Sequence, residues 1–228
     1  MLKELVDQYY SDRKKDKDKF HFYITDAGKC PRSVFFKFKK APEKEKDPRI
    51  LRIFEHGNSI HQLVMRAFFG SNDICVIASE IGTPPQELIS GRADAIISVN
   101  DELYVVDIKS MNSMIFRKMT SPKVENLYQI QLYLHYFGIK KGVLFYMDKD
   151  RQEIKEFIVD YNEKLCHDLL NGFKVLKEKI DQNIIPPVLA DYPKNWQCRY
   201  CDFKKICSLA GRNELRWSDL KKKIEGYE

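Results

Sequence analysis

The chain has 228 residues, of which 43% are hydrophobic and 32% charged, as in a globular domain with a sizeable core. It contains no apolar run of about 18 residues and no signal-peptide block, so we expect a cytoplasmic protein without membrane association. The net charge of +6 permits nucleic-acid binding, but a solvated lysine and glutamate surface explains it equally well. No G-x-x-x-x-G-K-[ST] motif occurs, which excludes a recognisable ATP-driven motor.

Hydrophobic periodicity divides the chain into helices and strands. The predicted elements are a short helix within 1–20 with a solvated turn at 12–19, a helix around 30–38, a charged loop at 39–48, a helix at 50–68, strands at 75–81, 93–99 and 103–109, a helix at 124–137, strands at 142–147 and 154–159, a helix at 162–182 and a helical tail at 212–228. We expect Thr25 or Asp26 to cap the helix that carries Cys30. The pattern predicts an α/β fold in which helices flank a mixed sheet.

Charged side chains occur in the predicted hairpin at 91–109, although a buried sheet face normally excludes them. Asp94 lies on one strand, and side-chain alternation puts Asp107 and Lys109 on one face of the next. A divalent metal ion explains this convergence, and we expect burial and the cation to lower the pKa of Lys109, which then orients or deprotonates an attacking water. Taken singly, Asp-x-Lys is better explained as a salt bridge at a strand end.

Four further residues have both a functional and a structural interpretation. Gln129 and Tyr133 are spaced to share one helical face, opposite the inward leucines, where they would hold a phosphate or a water, or form an ordinary helix surface. His61 lies on the apolar face of its helix, where it is either a core residue or a metal ligand. Glu80, near a strand end, is an exposed carboxylate or an additional ligand.

Cysteines cluster near the end of the chain in the pattern C-x2-C-x5-C, formed by Cys198, Cys201 and Cys207. Cys30 is a fourth thiol far upstream, and iron or zinc sites of this kind take four ligands. In a reducing cytosol, metal binding explains the cysteines better than disulfides do. One site would then join the beginning of the domain to its end, and spacing alone favours iron and zinc equally.

Taken together and in order, these motifs resemble the RecB-type branch of the PD-(D/E)xK nucleases. The resemblance rests on His61, Glu80, Gly91-Arg-Ala-Asp94, Asp107-Ile-Lys109 and Gln129-x-x-x-Tyr133. The cysteines add the iron–sulfur version of that branch, which includes the Cas-four proteins of CRISPR adaptation, the AddB nuclease and the Dna-two nuclease domain. Size and the lack of a motor favour the stand-alone Cas-four members, and the resemblance covers roughly residues 22 to 210.

The resemblance implies a restriction-endonuclease-like mixed sheet flanked by helices, with a helical iron–sulfur cap. It implies one nuclease domain over 1–228, with its core at about 50–160 and the cap formed by about 22–40 and 185–212. The implied activity is Mg²⁺- or Mn²⁺-dependent exonucleolytic cleavage of single-stranded DNA or DNA overhangs. In CRISPR adaptation this activity would trim prespacers alongside the Cas integrase complex.

The resemblance also implies a role for each motif residue. The metal ligands would be His61, Asp94, Asp107 and the carbonyl of Ile108. Lys109 would be the catalytic lysine, and Gln129 and Tyr133 would form the downstream motif. A [4Fe–4S] cluster would be held by Cys30, Cys198, Cys201 and Cys207. Asp107 stands where many members have glutamate, and its shorter side chain changes the metal geometry.

Two other functions fit the same motifs. A viral or repair RecB-like nuclease outside CRISPR would use the same site, and only neighbouring genes separate it from the first interpretation. A DNA-binding subunit that uses the cluster as a scaffold and never cuts belongs to another class. The intact set of Asp94, Asp107 and Lys109 argues against this non-cleaving protein.

Overall fold

The computed structural model describes residues 1–12, 19–86 and 88–225, so the predicted turn at 12–19 lies almost wholly outside the described residues. The helices are α1 (Leu2–Asp12), α2 (Pro31–Phe38), α3 (Pro48–Gly70), α4 (Ser113–Lys118), α5 (Val124–Phe137), α6 (Glu163–Asp181), α7 (Trp196–Arg199), α8 (Lys204–Ala210) and α9 (Trp217–Glu225). In this described part of the chain, no helix combines the length and apolar character that crossing a membrane demands.

The strands form one large sheet and two short pairs. Their bounds are β1 (Phe22–Tyr23), β2 (Cys75–Gly82), β3 (Ile89–Ser90), β4 (Arg92–Val99), β5 (Glu102–Met111), β6 (Lys141–Asp148), β7 (Ile154–Asp160), β8 (Ile184–Ile185) and β9 (Leu215–Arg216). Within the described residues, the large sheet has five strands in the order β2-β4-β5-β6-β7. Only its β5–β6 pair is parallel, and α4 and α5 lie in the connection between these strands. The predicted α/β fold with a mixed sheet and flanking helices is confirmed.

Helices cover both faces of the large sheet. On one face, α3 buries Ile60, Val64 and Phe68 against β4, β5 and β6. The opposite face packs against α5, and α6 contacts α5 from outside. Helix α5 is therefore enclosed on two sides, and both Gln129 and Tyr133 are buried. The interpretation of this pair as an ordinary helix surface is therefore wrong, because periodicity assumes that one helix face meets water.

The helix that follows Cys30 begins later than predicted. Pro31 is the first residue of α2, and Cys30 immediately precedes it. Proline suits this position because its missing N–H would have had no partner in the helix. Asp26 instead lies in a short 3₁₀ turn and pairs with Lys19 and Lys29, so the predicted cap at Thr25 or Asp26 is wrong.

Segments from the two ends of the chain pack together. The ring of Phe36 lies 5.5 Å from that of Phe203 and 6.2 Å from that of Trp217, measured between centroids. Gln197 accepts a hydrogen bond from the Cys30 amide at 2.7 Å and donates one to the Gly28 carbonyl at 2.9 Å. These contacts bring the region before and within α2 against α7 and α8. The predicted helical tail is partly confirmed, since strand β9 precedes α9.

Candidate active site

Strands β4 and β5 stop pairing where the predicted carboxylates lie. Their backbone ladder ends at the pair Ala95 and Val106, so Asp94 and Asp107 follow just beyond it. The Asp94 Oδ2 atom accepts a hydrogen bond from the Ile108 amide at 2.6 Å. A side-chain oxygen thus satisfies a backbone donor at the end of the ladder, and both carboxylates meet at the open end of the strand pair.

The Asp107 carboxylate is buried, with only 2% of the residue exposed. Its Oδ1 atom accepts hydrogen bonds from Lys109 Nζ at 2.8 Å and Gln129 Nε2 at 3.3 Å. Its Oδ2 atom is buried and has no hydrogen-bond partner in the part of the chain that the structure describes. A buried carboxylate oxygen without a partner carries a desolvation cost that a bound cation would remove.

Burial and neighbouring charges change the protonation of this group of residues. Burial raises the pKa of Asp107 to about 6, against the opposing effect of Lys109. Burial alone would lower the pKa of Lys109, but Asp107 and Asp94 together raise it above its ordinary value. Burial alone therefore does not lower this pKa, since two carboxylates outweigh it. Lys109 is a charged donor beside Asp107, and a lowered pKa would require the positive charge of a cation.

The amide of Gln129 is held by Tyr133 from the same helix. Gln129 Nε2 donates to the Tyr133 hydroxyl at 3.4 Å, and that hydroxyl donates to the Arg92 carbonyl at 2.7 Å. Burial raises the pKa of Tyr133, so the phenol keeps its proton and remains a donor. A Cβ on Gly91 would lie 2.9 Å from the Tyr133 ring and 2.7 Å from Ile24, so glycine is required there.

Helix α3 brings His61 to the carboxylates. The His61 Nδ1 atom lies 3.3 Å from Asp94 Oδ1, with about a third of the imidazole side chain exposed. One turn earlier, a Cβ on Gly57 would lie 3.3 Å from the Ser110 hydroxyl, so the absence of a side chain lets α3 approach β5. The arrangement joins an imidazole from one sheet face to carboxylates at the strand ends.

The remaining candidate, Glu80, points elsewhere. Its backbone on β2 lies opposite Asp94 of β4, since its neighbours Ser79 and Ile81 pair with Ala95 and Ala93. Its side chain, however, is 71% exposed and pairs with Arg92 at 3.2 Å. The structure thus does not bring the Glu80 carboxylate together with those of the hairpin.

The residues at the hairpin suit a divalent cation in kind. Carboxylate oxygens and an imidazole are ligands for Mg²⁺ or Mn²⁺, and Asp107 offers an oxygen without another partner. Among the described residues, no three His, Cys, Asp or Glu side chains converge into a complete metal-binding group. A bound cation would therefore have to draw His61, Asp94 and Asp107 closer together.

The four predicted cluster cysteines line one cavity of about 270 Å³, formed by α2 and the segment that contains α7 and α8. All six cysteines of the chain are free thiols, and neither Cys75 nor Cys166 lines this cavity. Burial raises the pKa of the Cys198, Cys201 and Cys207 thiols. Four thiols around one space suit tetrahedral iron or zinc, although binding would again have to draw the sulfurs together.

Residues 75–208, more than half of the chain, match the PD-(D/E)XK nuclease superfamily. The chain belongs to this superfamily. It is accordingly a nuclease, and PD-(D/E)XK nucleases use divalent metal ions. The matched region includes β4, β5 and α5, and thus Asp94, Asp107, Lys109, Gln129 and Tyr133.

Individual proteins are also similar to this chain in sequence or fold, and two of them are exonucleases by name. The CRISPR-associated exonuclease Cas4 of Saccharolobus solfataricus is 28% identical over 217 residues, covering 91% of this nuclease and 95% of the relative. The crystal structure of SSO0001 has a TM-score of 0.57 at 22% identity and covers 91% of this chain and 96% of its own. An alkaline exonuclease from Laribacter hongkongensis has a TM-score of 0.52 at 11% identity, covering 77% of this chain and 93% of its own. The two structures establish a shared fold.

Some contributors to this region carry no motif that sequence patterns identify. Gly91 and Gly57 contribute because they lack a side chain. The space that a Cβ would need lies against Tyr133 and Ser110, and only the folded structure shows these contacts. Arg32, two residues after Cys30, is buried among backbone carbonyls of the C-terminal segment. The sequence signal for a role of Arg32 was its position in Cys-Pro-Arg, which begins with the expected metal ligand Cys30.

Proposed function

We propose that the protein is a metal-dependent DNA exonuclease that shortens single-stranded DNA or single-stranded overhangs, and that it trims prespacers during CRISPR adaptation. The observation that carries the chemistry is the buried Asp107 carboxylate, which lies beside Lys109 and has one oxygen without a partner. The similarity to the CRISPR-associated exonuclease of S. solfataricus over 91% of the chain supports exonuclease activity and a CRISPR context.

In this proposal, Asp94 and Asp107 bind a Mg²⁺ or Mn²⁺ ion, with His61 and the Ile108 carbonyl as further ligands. The ion would supply Lewis-acid stabilisation of the charge that develops on the phosphate. Lys109 orients the attacking water or a phosphate oxygen through its ammonium group, because its hydrogen bond to Asp107 fixes it at the carboxylates. Glu80 would join only if its side chain left Arg92.

Gln129 and Tyr133 are positioning residues in this scheme. The hydrogen bonds from Gln129 to Asp107 and from Tyr133 to the Arg92 backbone connect α5 with β5 and β4. Because these groups are buried, they hold the orientation of the Asp107 carboxylate without competition from solvent.

The cysteine cavity would hold a [4Fe–4S] cluster, bound by Cys30, Cys198, Cys201 and Cys207. We take residues of about 22–40 and 185–212 as a cap on a single nuclease domain with its core at about 50–160. Four thiols facing one cavity support this cofactor, and zinc is the competing metal. The cluster would join both ends of the domain rather than take part in hydrolysis.

The exposed surface of the cap suits a single DNA strand. Trp196, the first residue of α7, is 55% exposed, and Tyr200, which directly follows this helix, is 82% exposed. Arg199 and Lys204 are exposed nearby. Aromatic rings that stack with bases and cations that contact phosphates are the usual combination for binding single strands.

Cleavage of a forked duplex tests the substrate assignment. Each strand of a duplex with single-stranded arms carries a distinct dye, and Mn²⁺ or Mg²⁺ is added with or without the Cas integrase complex. We expect shortening of an arm that stops near the duplex, together with co-purification of the integrase from native lysate. EDTA should stop the reaction because the metal ion is required.

Two results would contradict different parts of the proposal. Cutting that crosses the duplex boundary would contradict a preference for overhangs. Overhang trimming that is indifferent to the integrase, with no association in lysate, would favour a stand-alone viral or repair nuclease. The Asp107→Ala protein controls for contaminating nucleases in every reaction.

The raised pKa of Asp107 predicts that proton binding competes with metal binding. The carboxyl ionises at about pH 6 in the folded protein and near 3.8 in its ordinary state, so folding favours the protonated form. This contribution to stability is present below pH 3.8 and is lost as the pH rises through 6. Below pH 6 we expect Mn²⁺ affinity to fall about tenfold per pH unit, because only the carboxylate binds the ion.

Isothermal titration calorimetry with Mn²⁺ between pH 5 and 8 measures this effect. Asp107→Asn should bind the ion weakly and lose this pH dependence, whereas His61→Gln, which removes the nearby imidazole, should keep it. Constant wild-type affinity down to pH 5 would contradict the role of Asp107 as a ligand.

A further inference from the structure

Arg32 is a buried arginine that connects α2 to the C-terminal part of the chain, and only 1% of the residue is exposed. The N–H groups of its guanidinium donate hydrogen bonds to backbone carbonyls. They donate to the oxygens of Pro186 at 2.7 Å, Gly211 at 2.6 Å, Arg212 at 3.3 Å and Asn213 at 3.0 Å. The guanidinium therefore has its hydrogen bonds satisfied almost entirely by uncharged groups.

Its positive charge, in contrast, has no carboxylate beside it. None of the ion pairs formed among the described residues includes Arg32. Carbonyl oxygens stabilise the N–H groups, but they carry no net charge to balance a buried cation. An anion close to Arg32 would remove this imbalance.

The group that lies where such an anion is needed is a cysteine. Arg32 Nη1 is 3.7 Å from the Cys207 sulfur, within reach of a hydrogen bond to sulfur. Arg32 also lines the cavity that all four predicted cluster cysteines line. Cysteines bind iron as thiolates, so a cluster with four cysteine ligands places net negative charge in this cavity.

We propose that Arg32 is the positioning residue of the iron–sulfur cluster, balancing the cluster's negative charge and directing a hydrogen bond to the Cys207 sulfur. The proposal rests on the proposed cluster. Reduction adds an electron, and nearby positive charge favours the more negative, reduced form. Arg32 therefore raises the reduction potential of the cluster and slows its loss, in addition to fixing the carbonyls around it.

The test compares the reduction potential and iron content of anaerobically purified variants. Dithionite titration followed by electron paramagnetic resonance gives the potential, and chemical analysis gives iron and sulfide. Arg32→Gln should lower the potential and shorten the lifetime of the cluster in air. The matched control is Arg199→Gln, which removes an exposed cation next to Cys198 and should shift the potential less because water screens it.

Arg32→Lys separates charge from hydrogen bonding. Lysine keeps the positive charge but cannot reproduce the hydrogen bonds from the guanidinium to the four backbone carbonyls. We therefore expect a reduction potential close to that of the wild type, with lower thermal stability. If Arg32→Gln does not fold, the reduction potential of Arg32→Lys tests the charge-balance role by itself. A wild-type potential in Arg32→Lys supports charge balance, and a clearly lowered one overturns it.

The outcomes distinguish this inference from the cofactor assignment. Wild-type protein without iron and sulfide would remove the cluster and, with it, the role of Arg32. A cluster that is present in both proteins, with equal potential and equal lifetime in Arg32→Gln, would overturn the inference alone. Arg32 would then be a donor to backbone carbonyls only.

Discussion

Replacement of Asp107 or Lys109 by alanine is expected to abolish cleavage of single-stranded DNA, with kcat falling by at least about 10³-fold. The first change removes the carboxylate that is proposed to bind the metal ion. The second removes the ammonium whose Nζ atom lies 2.8 Å from Asp107 Oδ1. Neither variant should lose much DNA affinity, because contacts between phosphates and surface cations supply most of that binding. Gel-based cleavage and fluorescence anisotropy measure the two properties separately.

The fold should tolerate the loss of Asp107. Burial raises its pKa, so at neutral pH the ionised carboxylate opposes folding rather than supporting it. Asp107→Ala also leaves the buried Lys109 ammonium with Asp94 alone to balance it, which opposes that gain. The variant is therefore expected to fold and to melt near the wild-type temperature while losing activity. Loss of activity together with a collapse in melting temperature would assign Asp107 to structure and contradict its place at a metal site.

A second ion pair in the chain provides the matched control. Lys164 and Asp168 lie on the exposed face of α6, and their N–O distance of 2.8 Å equals that between Lys109 and Asp107. Lys164→Ala and Asp168→Ala remove the same chemical groups far from the hairpin in sequence and should leave kcat unchanged. Full activity in purified Asp107→Ala or Lys109→Ala would remove the hairpin from the mechanism.

Local periodicity was sufficient to predict the parts of this protein that depend on neighbours in sequence. Alternation along β5 put Asp107 and Lys109 on one face, and their hydrogen bond shows that placement. The three-to-four-residue spacing predicted α3 and placed His61 on the helix face that meets the sheet. Both features follow from backbone geometry alone.

Features that depend on distant neighbours were not predictable in the same way. The burial of Gln129 on α5 requires two layers, the sheet and α6, to enclose the helix. The direction of the Lys109 pKa shift depends on how close Asp94 and Asp107 lie in three dimensions. Charged Arg32 would be assigned to the surface by composition, yet it is buried because remote carbonyls surround it.

Replacement of Cys30 by serine is expected to destabilise the whole protein through loss of the proposed cluster. Cys30 is the one proposed ligand in the N-terminal part of the chain, whereas Cys198, Cys201 and Cys207 lie together near the other end. A cluster that joins them closes most of the chain into a loop, a constraint that is worth about 3–5 kcal/mol by analogy with long disulfide loops. For a protein of this size that corresponds to a fall of roughly 10 °C in melting temperature.

The loss is also expected to reach the active site. The segment before Cys30 packs on α5, where a Cβ on Gly28 would lie 3.1 Å from the Tyr128 ring, and Ile24 closes over Gly91 beside Tyr133. If the cap separates, Tyr133 loses part of the packing that holds Gln129 and, through it, Asp107. Cys30→Ser should therefore show a lower kcat at temperatures where its nuclease core is still folded.

The matched control is Cys75→Ser, which changes an exposed thiol at the start of β2 outside the cysteine cavity. Anaerobically purified wild type and Cys75→Ser should be brown and contain iron and sulfide, whereas Cys30→Ser should be nearly colourless. Calorimetry and metal analysis give both readouts from one preparation. Stoichiometric zinc without iron in the wild type would replace the iron–sulfur assignment by a zinc site, and unchanged melting of Cys30→Ser would contradict a link between the two ends of the chain.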